Sequence, residues 1–246
     1  MRKIKLLVLL AAALAASSAF ADVVTSDVIF GTGGNINGNF TVTRDATTGL
    51  ELGLRARVRF TTDTMDNGNG VYGSFSPSAG PLALWNFDWS VNSNYNGAGG
   101  NLSGNGVQYI LGMDFSPAPG ATAATTSLFN LTTQCIDSQY GTNATVGNTG
   151  VVASCNAASP NYFLNLMANN NLAQNSGNLG WFPAPPSGPF DASATGEYSF
   201  FLEAVGANGA VLQRTDITVD VPEPGTLALV GLALVGIGAA RRRRKS

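Results

Sequence analysis

Carboxylates are the side chains that could carry catalysis in this sequence, because the sequence contains no histidine. This absence excludes Ser-His-Asp and Cys-His hydrolysis, histidine general-base chemistry and the usual zinc sites. A pair of carboxylates can still hydrolyse a glycosidic bond, and Asp88 could form such a pair with Glu197 or Glu203. Acidic residues on an exposed sheet face are more often solvated or paired with arginine, so we expect no catalytic residue and no enzymatic activity.

An acidic loop offers a second kind of site. Asp63, Asp66, Asn67 and Asn69 surround Gly68 with oxygen ligands of the hard type that calcium prefers. The spacing misses the EF-hand pattern, and no glutamate follows at the distance that would close such a loop. We therefore expect a polar hairpin loop and no cofactor, with calcium binding as the alternative.

A run of alternating arginines is the first candidate for ligand binding. Arg55, Arg57 and Arg59 would project from one face of a strand, about 6.8 Å apart, where they could hold an acidic polysaccharide. The alternative is that the guanidinium groups pair with carboxylates on neighbouring strands. The candidate partners are Glu203, Asp216 and Asp88.

Trp181 is the second candidate for ligand binding. It stands beside Phe182 and near two prolines, whereas Trp85 and Trp89 share one strand face with Phe87 and are expected in the core. An indole ring that remains accessible offers a flat apolar face with a polar edge. Trp181 is therefore the tryptophan that we expect to stack on a sugar ring.

Strands must position these residues. Four segments alternate apolar and polar side chains with the period of two that is typical of a half-buried strand, namely 50–60, 85–91, 198–204 and 211–221. Further candidates are 23–30, 39–44, 71–75 and 107–114. Asn208-Gly209, between the last two main segments, is a strong hairpin signal.

The strand pattern predicts an all-β fold, an antiparallel sandwich similar to a jelly roll, over residues 22–220. A loop-rich insertion occupies about 117–159, and 161–172 fits either a strand or a short helix. The predicted sandwich holds five arginines, no lysine and 14 acidic residues. Nucleic acid is therefore excluded as a partner, because phosphate backbones require clustered cations.

The first 21 residues have the three parts of a secretory signal peptide. Arg2, Lys3 and Lys5 form a basic start, an apolar run follows at 6–16, and Ala19 and Ala21 supply the small residues at the cleavage site. The apolar run is shorter than the roughly 20 residues that a spanning helix needs. We expect export by the Sec translocon and removal of residues 1–21 by signal peptidase.

The only two cysteines lie in the predicted insertion. In an exported protein, Cys135 and Cys155 indicate one disulfide. A redox pair is the alternative, but the two residues lack the close C-x-x-C spacing.

The C-terminal segment, 221–246, has the layout of a membrane anchor. A short polar stretch, Val221-Pro222-Glu223-Pro224, precedes an uncharged apolar run at 226–240. A basic end follows, made of Arg241, Arg242, Arg243, Arg244 and Lys245. The basic end would stay in the cytoplasm, so 226–240 is predicted to be a transmembrane stop-transfer helix. The prolines forbid helix just before it and expose an extended peptide.

This order of Pro-Glu-Pro, apolar helix and arginine cluster resembles the PEP-CTERM sorting signal of exported proteins in Gram-negative bacteria. The resemblance implies recognition by exosortase, a membrane-embedded transpeptidase, and cleavage near the Pro-Glu-Pro motif. It also implies release or attachment at the cell surface, often in connection with exopolysaccharide and biofilm. Three parts of the body resemble other PEP-CTERM precursors, at 51–55, at 85–90, and at 173–176 with 189–191.

These observations favour a non-enzymatic structural protein of the cell surface or extracellular matrix, associated with exopolysaccharide and sorted by an exosortase. A lectin-like carbohydrate-binding module is the alternative. A carboxylate-dependent glycan hydrolase is the third hypothesis.

Overall fold

The computed structural model describes residues 23–25, 28, 38–66, 68–73, 75–136, 138–145, 151–152, 160–223 and 225. The predicted signal peptide, transmembrane helix and basic end lie outside these residues. Among the residues described, no helix has both the length and the apolar character needed to cross a bilayer.

The described part of the chain is built mainly from β-strands. In chain order they are β1 (Val23–Thr25), β2 (Phe40–Asp45), β3 (Leu50–Val58), β4 (Val71–Tyr72), β5 (Trp85–Asn92), β6 (Gln108–Asp114), β7 (Thr126–Asn130), β8 (Gln139–Gly141), β9 (Val151–Val152), β10 (Leu172–Gly177), β11 (Gly196–Val205) and β12 (Val211–Val221). An α-helix, α1 (Pro160–Asn169), lies between β9 and β10. Two 3-10 turns, Gly104–Gly106 and Leu179–Trp181, complete the elements.

The strands form two sheets. The larger sheet has seven strands in the order β1-β2-β3-β5-β10-β8-β9, and the smaller has five in the order β4-β12-β11-β6-β7. The pairs within both sheets are antiparallel, with the exception of β4 and β12, which run parallel. The all-β sandwich is thus confirmed with a mixed second sheet, and the similarity to a jelly roll stays a prediction.

The main predicted strands are present. The structure contains β3, β5, β11 and β12 where alternation predicts them, and the β11–β12 hairpin turns at Gly209, whose φ is 78°. The ambiguous segment at 161–172 forms nearly all of helix α1, which starts one residue earlier, and reaches β10 only with its last residue. The predicted insertion adds strands to both sheets, because β7 pairs with β6 and β8 pairs with β10.

Aromatic side chains fill the space between the sheets. Trp85 of the larger sheet meets Tyr198 and Phe200 of the smaller sheet at ring-centroid distances of 5.8 and 5.9 Å. Trp89 is also buried, as the sequence predicts. Burial of these large rings supplies much of the hydrophobic stabilisation of a sandwich of this kind.

The outer face of the larger sheet is buried as well, which corrects the expectation that its strands have one solvated face. Glu51, Arg55 and Asp88 all point away from the core and are nevertheless inaccessible to solvent. On this face Phe40, which belongs to the neighbouring strand β2, forms a small buried cluster with Val28 and Val42. A Cβ atom at Gly53 would lie only 3.3 Å from the Phe40 ring and 3.6 Å from Val28, so this cluster packs directly on β3.

Candidate functional site

A rigid turn after β10 carries the candidate sugar-stacking tryptophan. Asn178 is fully buried, and its side-chain amide donates to the backbone oxygens of Ala83 and Trp85 at 3.0 and 2.9 Å. Its side-chain oxygen accepts from the Ala83 amide at 3.2 Å and from the Gly180 amide at 3.3 Å. Leu179 is also fully buried. The 3-10 turn Leu179–Trp181 is therefore fixed to the chain that leads into β5.

Trp181 and Phe182 point in different directions from this turn. The Phe182 ring packs on Phe87 and Phe129, at centroid distances of 5.5 and 6.0 Å. Trp181, in contrast, is 55% exposed. One aromatic side chain thus anchors the turn in the sandwich while its neighbour presents an indole to solvent, as the sequence predicts.

An open groove of about 450 Å³ runs beside Trp181. This volume falls in the range of small-ligand sites, roughly 300–1,000 Å³. Its walls combine aromatic and apolar groups with the polar end of β10. The lining residues are Phe129, Ile136, Asn175, Ser176, Gly177, Trp181, Phe182 and Pro183.

Ser176 connects the groove to the buried polar layer of the larger sheet. Its hydroxyl oxygen accepts a hydrogen bond from Arg57 Nη2 at 3.1 Å and another from Asn86 Nδ2 at 3.1 Å. Arg57 also donates to the backbone oxygen of Thr61 at 2.8 Å. The serine is therefore held in a fixed position between the groove and a guanidinium group.

Two guanidinium groups in this layer share one carboxylate. Arg55 Nε and Arg57 Nε both donate to Asp88 Oδ2, at 2.7 and 2.9 Å. Burial lowers the pKa of the Arg55 guanidinium, and the adjacent Asp88 carboxylate opposes this effect. Arg55 and Arg57 thus pair with a carboxylate on the neighbouring strand, which was the alternative to ligand binding. Because both are buried in this arrangement, they are unavailable to a ligand in solvent.

Asp88 is not brought together with either of its predicted acidic partners. Asp88 lies on the outer face of the larger sheet, whereas Glu197 and Glu203 lie on the outer face of the smaller sheet. Glu203 instead accepts from Arg214 Nη1 at 2.6 Å. The sandwich therefore separates the carboxylates that a paired-acid mechanism would need.

Arg59 is the predicted arginine that reaches the site. It follows the end of β3, and its guanidinium carbon lies 4.5 Å from the Phe60 ring centroid and 5.4 Å from the Trp181 ring centroid. Phe60 has a φ of 63° and is 84% exposed. The strand predicted over 50–60 is thus too long at its end, because β3 stops at Val58 and the chain turns before Phe60.

The acidic loop uses its carboxylates to hold its own backbone. Asp63 Oδ1 accepts from the Met65 amide at 3.1 Å, and Asp66 Oδ1 accepts from the Gly68 amide at 2.8 Å. Among the residues described, no group of three or more acidic or cysteine side chains is arranged to hold a metal ion. Asn67 lies outside the described residues, and calcium binding stays a prediction.

The cysteine prediction is only partly within the described residues. Cys135 is half-buried and is not a free thiol. Cys155 lies outside the described residues, so its disulfide with Cys135 stays a prediction.

The smaller sheet leads directly into the C-terminal segment. Val221, the last residue of β12, is buried and pairs with Gly196. Pro222 is half-buried and Glu223 is exposed, while Pro224 lies outside the described residues. The Pro-Glu-Pro segment therefore begins where the last strand of the sandwich ends, with no spacer between them.

Fold and tail together define an all-β domain joined to a C-terminal sorting segment. A family model described as the PEP-CTERM protein-sorting motif matches residues 220–244. The resemblance inferred from sequence is thus confirmed: the chain carries the sorting signal of an exosortase substrate, which marks an exported protein made as a membrane-anchored precursor. No curated protein matches the chain by sequence. Because the family match begins only at the last two residues of the sandwich, the role of the sandwich must be argued from its own geometry.

Sequence reasoning missed several residues of the site. Ser176 and Asn178 act through partners roughly 90 positions away in the chain, a separation that no local pattern reports. Phe60 had a local signal, because Thr61, Thr62 and Asp63 directly after it are typical turn residues.

Proposed function

We propose that this chain is an exosortase-processed, non-enzymatic protein of the cell surface or extracellular matrix, and that its sandwich binds polysaccharide in the groove beside Trp181. The observation that carries the proposal is the exposed indole on a turn fixed by Asn178. A preformed aromatic platform does not have to be ordered when a ligand binds, which lowers the entropic cost of association.

The composition of the groove supports a sugar as its ligand. A pyranose ring has apolar C–H faces and a polar rim, so a site for it needs a flat apolar surface beside hydrogen-bonding groups. Trp181 offers the first, and Asn175 with Ser176 offers the second. Small-molecule sites commonly combine apolar walls with a few placed polar groups in this way.

The same groove supports binding without hydrolysis. A glycosidase needs two carboxyl groups on either side of the scissile bond. The described lining residues include no acidic side chain, and Asp88 is buried between Arg55 and Arg57. These features favour a binding module over the glycan hydrolase hypothesis.

Sorting would bring this site to its ligand. Cleavage near Pro222-Glu223-Pro224 would leave the sandwich intact, because the motif starts where β12 ends. We expect the processed protein to be released at the cell surface or attached there, among exopolysaccharide. Mass spectrometry of surface material tests this step, and recovery of intact peptides spanning 221–241 from the released protein would contradict it.

A glycan array tests the binding step. The full chain in detergent is applied with and without calcium, and saturable binding to at least one polysaccharide fragment is expected. Trp181→Ala should weaken binding by about two- to tenfold, since aromatic pairing typically contributes about 0.5–1.5 kcal/mol beyond area burial. Trp181→Phe should retain part of it.

The matched control is Tyr162→Ala, which removes another exposed aromatic side chain, on helix α1. It should leave glycan binding unchanged. No binding by the unaltered chain would favour a purely structural matrix protein, and release of reducing sugar would favour the hydrolase.

A further inference from the structure

We infer that the groove selects an acidic sugar residue, whose anionic group meets the Ser176 hydroxyl at the floor and the Arg59 guanidinium at the rim. This inference rests on the proposed function and names its ligand class. Ser176, Arg59 and the buried layer behind them support it by three independent observations.

The first observation is the hydrogen bonding of Ser176. A serine hydroxyl has one hydrogen to donate and two lone pairs that accept. Both lone pairs are used, by Arg57 and by Asn86. Any further hydrogen bond made by this hydroxyl must therefore be donated, so at Ser176 the groove suits an acceptor such as a carboxylate oxygen.

The second observation is an excess of positive charge behind the floor. Two guanidinium groups, Arg55 and Arg57, share the single carboxylate of Asp88, and all three residues are buried. Arg55 Nη2 has no hydrogen-bond partner among the residues that the structure describes. A buried charge that is not neutralised acts over a longer range than a solvated one, so the groove lies in a field that favours an anion.

The third observation is the state of Arg59. In the described part of the chain, the other arginines are each within ion-pair distance of a carboxylate, namely Arg44, Arg55, Arg57 and Arg214. Arg59 has no such partner there and is only half-buried, although its Nε atom is inaccessible and makes no hydrogen bond to a described residue. Its contacts are the faces of Phe60 and Trp181, which leave its guanidinium available to an anion.

The remaining charges restrict the ligand to a sugar with few anionic groups at the site. The predicted sandwich has 14 acidic residues and five arginines, so a dense polyanion such as nucleic acid is repelled overall. A uronic acid residue supplies one carboxylate together with a ring that can stack on Trp181. A uronic acid therefore suits both the stacking surface of Trp181 and the groups that would meet an anion, Ser176 and Arg59.

A binding titration with matched probes tests the inference. The probes are trisaccharides of galacturonate, glucuronate and mannuronate, each compared with its uncharged methyl ester, and the protein is the full chain in detergent. At least one acid form should bind about tenfold more tightly than its ester, as expected for one charge-assisted hydrogen bond. The difference should shrink as salt is raised.

Variants assign the effect to the site. Arg59→Gln should weaken binding of the acid form about tenfold and leave the ester within about twofold, whereas Arg59→Lys should keep most of the preference. Arg214→Gln is the matched control, since Arg214 also lies over an aromatic ring but belongs to the other sheet. It should change neither affinity.

Other outcomes overturn the inference in distinguishable ways. Equal binding of acid and ester, both lost in Trp181→Ala, would refute the acidic ligand and leave polysaccharide binding intact. An acid preference that survives Arg59→Gln would place the anion elsewhere. Binding of none of the probes, together with a negative glycan array, would refute the acidic ligand and the proposed function together.

Discussion

Each outer side of the sandwich carries an arginine over an aromatic ring, and the two arrangements differ in what neutralises the guanidinium. On the smaller sheet, Arg214 lies 4.1 Å from the Phe201 ring centroid and pairs with Glu203 and Asp216, both at 2.6 Å. Beside the larger sheet, Arg59 lies over Phe60 and Trp181 without a carboxylate partner among the described residues.

The comparison indicates which side is available to a ligand. Hydrogen bonding to Asp216 raises the pKa of the Arg214 guanidinium, which reflects a charge already compensated within the protein. Phe201 in turn covers Gly112 so closely that a Cβ there would lie 2.1 Å from the ring. A groove lies on both sides, of about 340 Å³ beside Arg214 and Phe201 and of about 450 Å³ beside Trp181. On the Arg59 side the groove adjoins an exposed indole and a guanidinium that has no carboxylate partner among the described residues, whereas on the Arg214 side the guanidinium is already paired.

The largest effect is expected from Asp88→Asn. It removes the one carboxylate shared by two buried guanidinium groups, and an uncompensated buried charge costs about 3–5 kcal/mol. The free energy of unfolding from urea titration measures the loss. Asp216→Asn is the matched control on the other sheet, where the pair is exposed and should contribute less than about 1 kcal/mol.

If Asp88→Asn lowers the free energy of unfolding no more than Asp216→Asn does, the carboxylate on the larger sheet is not more important for stability than the one on the smaller sheet. Where Asp88→Asn yields no folded protein, the double variant with Arg55→Met should recover part of the stability, because it removes one of the two uncompensated charges.

Asn178→Ala is expected to have the next largest effect. The buried amide makes hydrogen bonds to the backbone on both sides of residue 84, and leaving such partners unsatisfied costs about 1–3 kcal/mol. The variant should also weaken glycan binding, because the turn that carries Trp181 loses its anchor. Urea titration and the glycan array measure the two effects, and a stability loss with unchanged binding would disconnect the turn from the site.

Gly177→Ala and Gly112→Ala together compare how firmly the aromatic rings next to these glycines are held in the larger and the smaller sheet. A Cβ at Gly177 would lie 2.7 Å from Phe87 and 2.9 Å from Phe182, which pack inside the sandwich. Overpacking of this kind typically costs about 1–3 kcal/mol. Gly112→Ala should cost less, because Phe201 is only half-buried and can move outward. Thermal unfolding orders the two variants, and the reverse order would contradict the comparison.

The smallest effects on the free energy of unfolding are expected from Arg214→Gln and Arg59→Gln. Arg214→Gln removes a surface guanidinium with two carboxylate partners and should lower the free energy of unfolding by about 0.5–1 kcal/mol. Arg59→Gln should change it by less than about 0.5 kcal/mol, since the described structure gives Arg59 no ion pair to lose. A larger loss for Arg59→Gln would indicate a structural role in place of a binding role.

Strand positions were predictable from the sequence because alternation is local. The bounds of β12 and its hairpin with β11 follow from period-two patterning and from Asn208-Gly209. The burial of Arg55 and Asp88 did not follow, because alternation identifies two faces without reporting that Val28 and Phe40 pack on the second one.

The site was predictable in part for the same reason. Trp181 stands in a Pro-rich stretch that interrupts any strand pattern, which is a local signal of a surface turn. The pairing of Ser176 with Arg57 and Asn86 depends on the order of strands within the sheet, and strand order is a property of long-range contacts.

The most direct measurement is an NMR titration of the indole N–H groups. The chain has three tryptophans, and the Trp181 signal is assigned by its loss in Trp181→Phe. On addition of the preferred acidic trisaccharide to the full chain in detergent, we expect a saturable shift of the Trp181 signal, while the signals of the buried Trp85 and Trp89 change little. Binding that leaves the Trp181 signal unmoved would contradict the assignment of the groove as the sugar site.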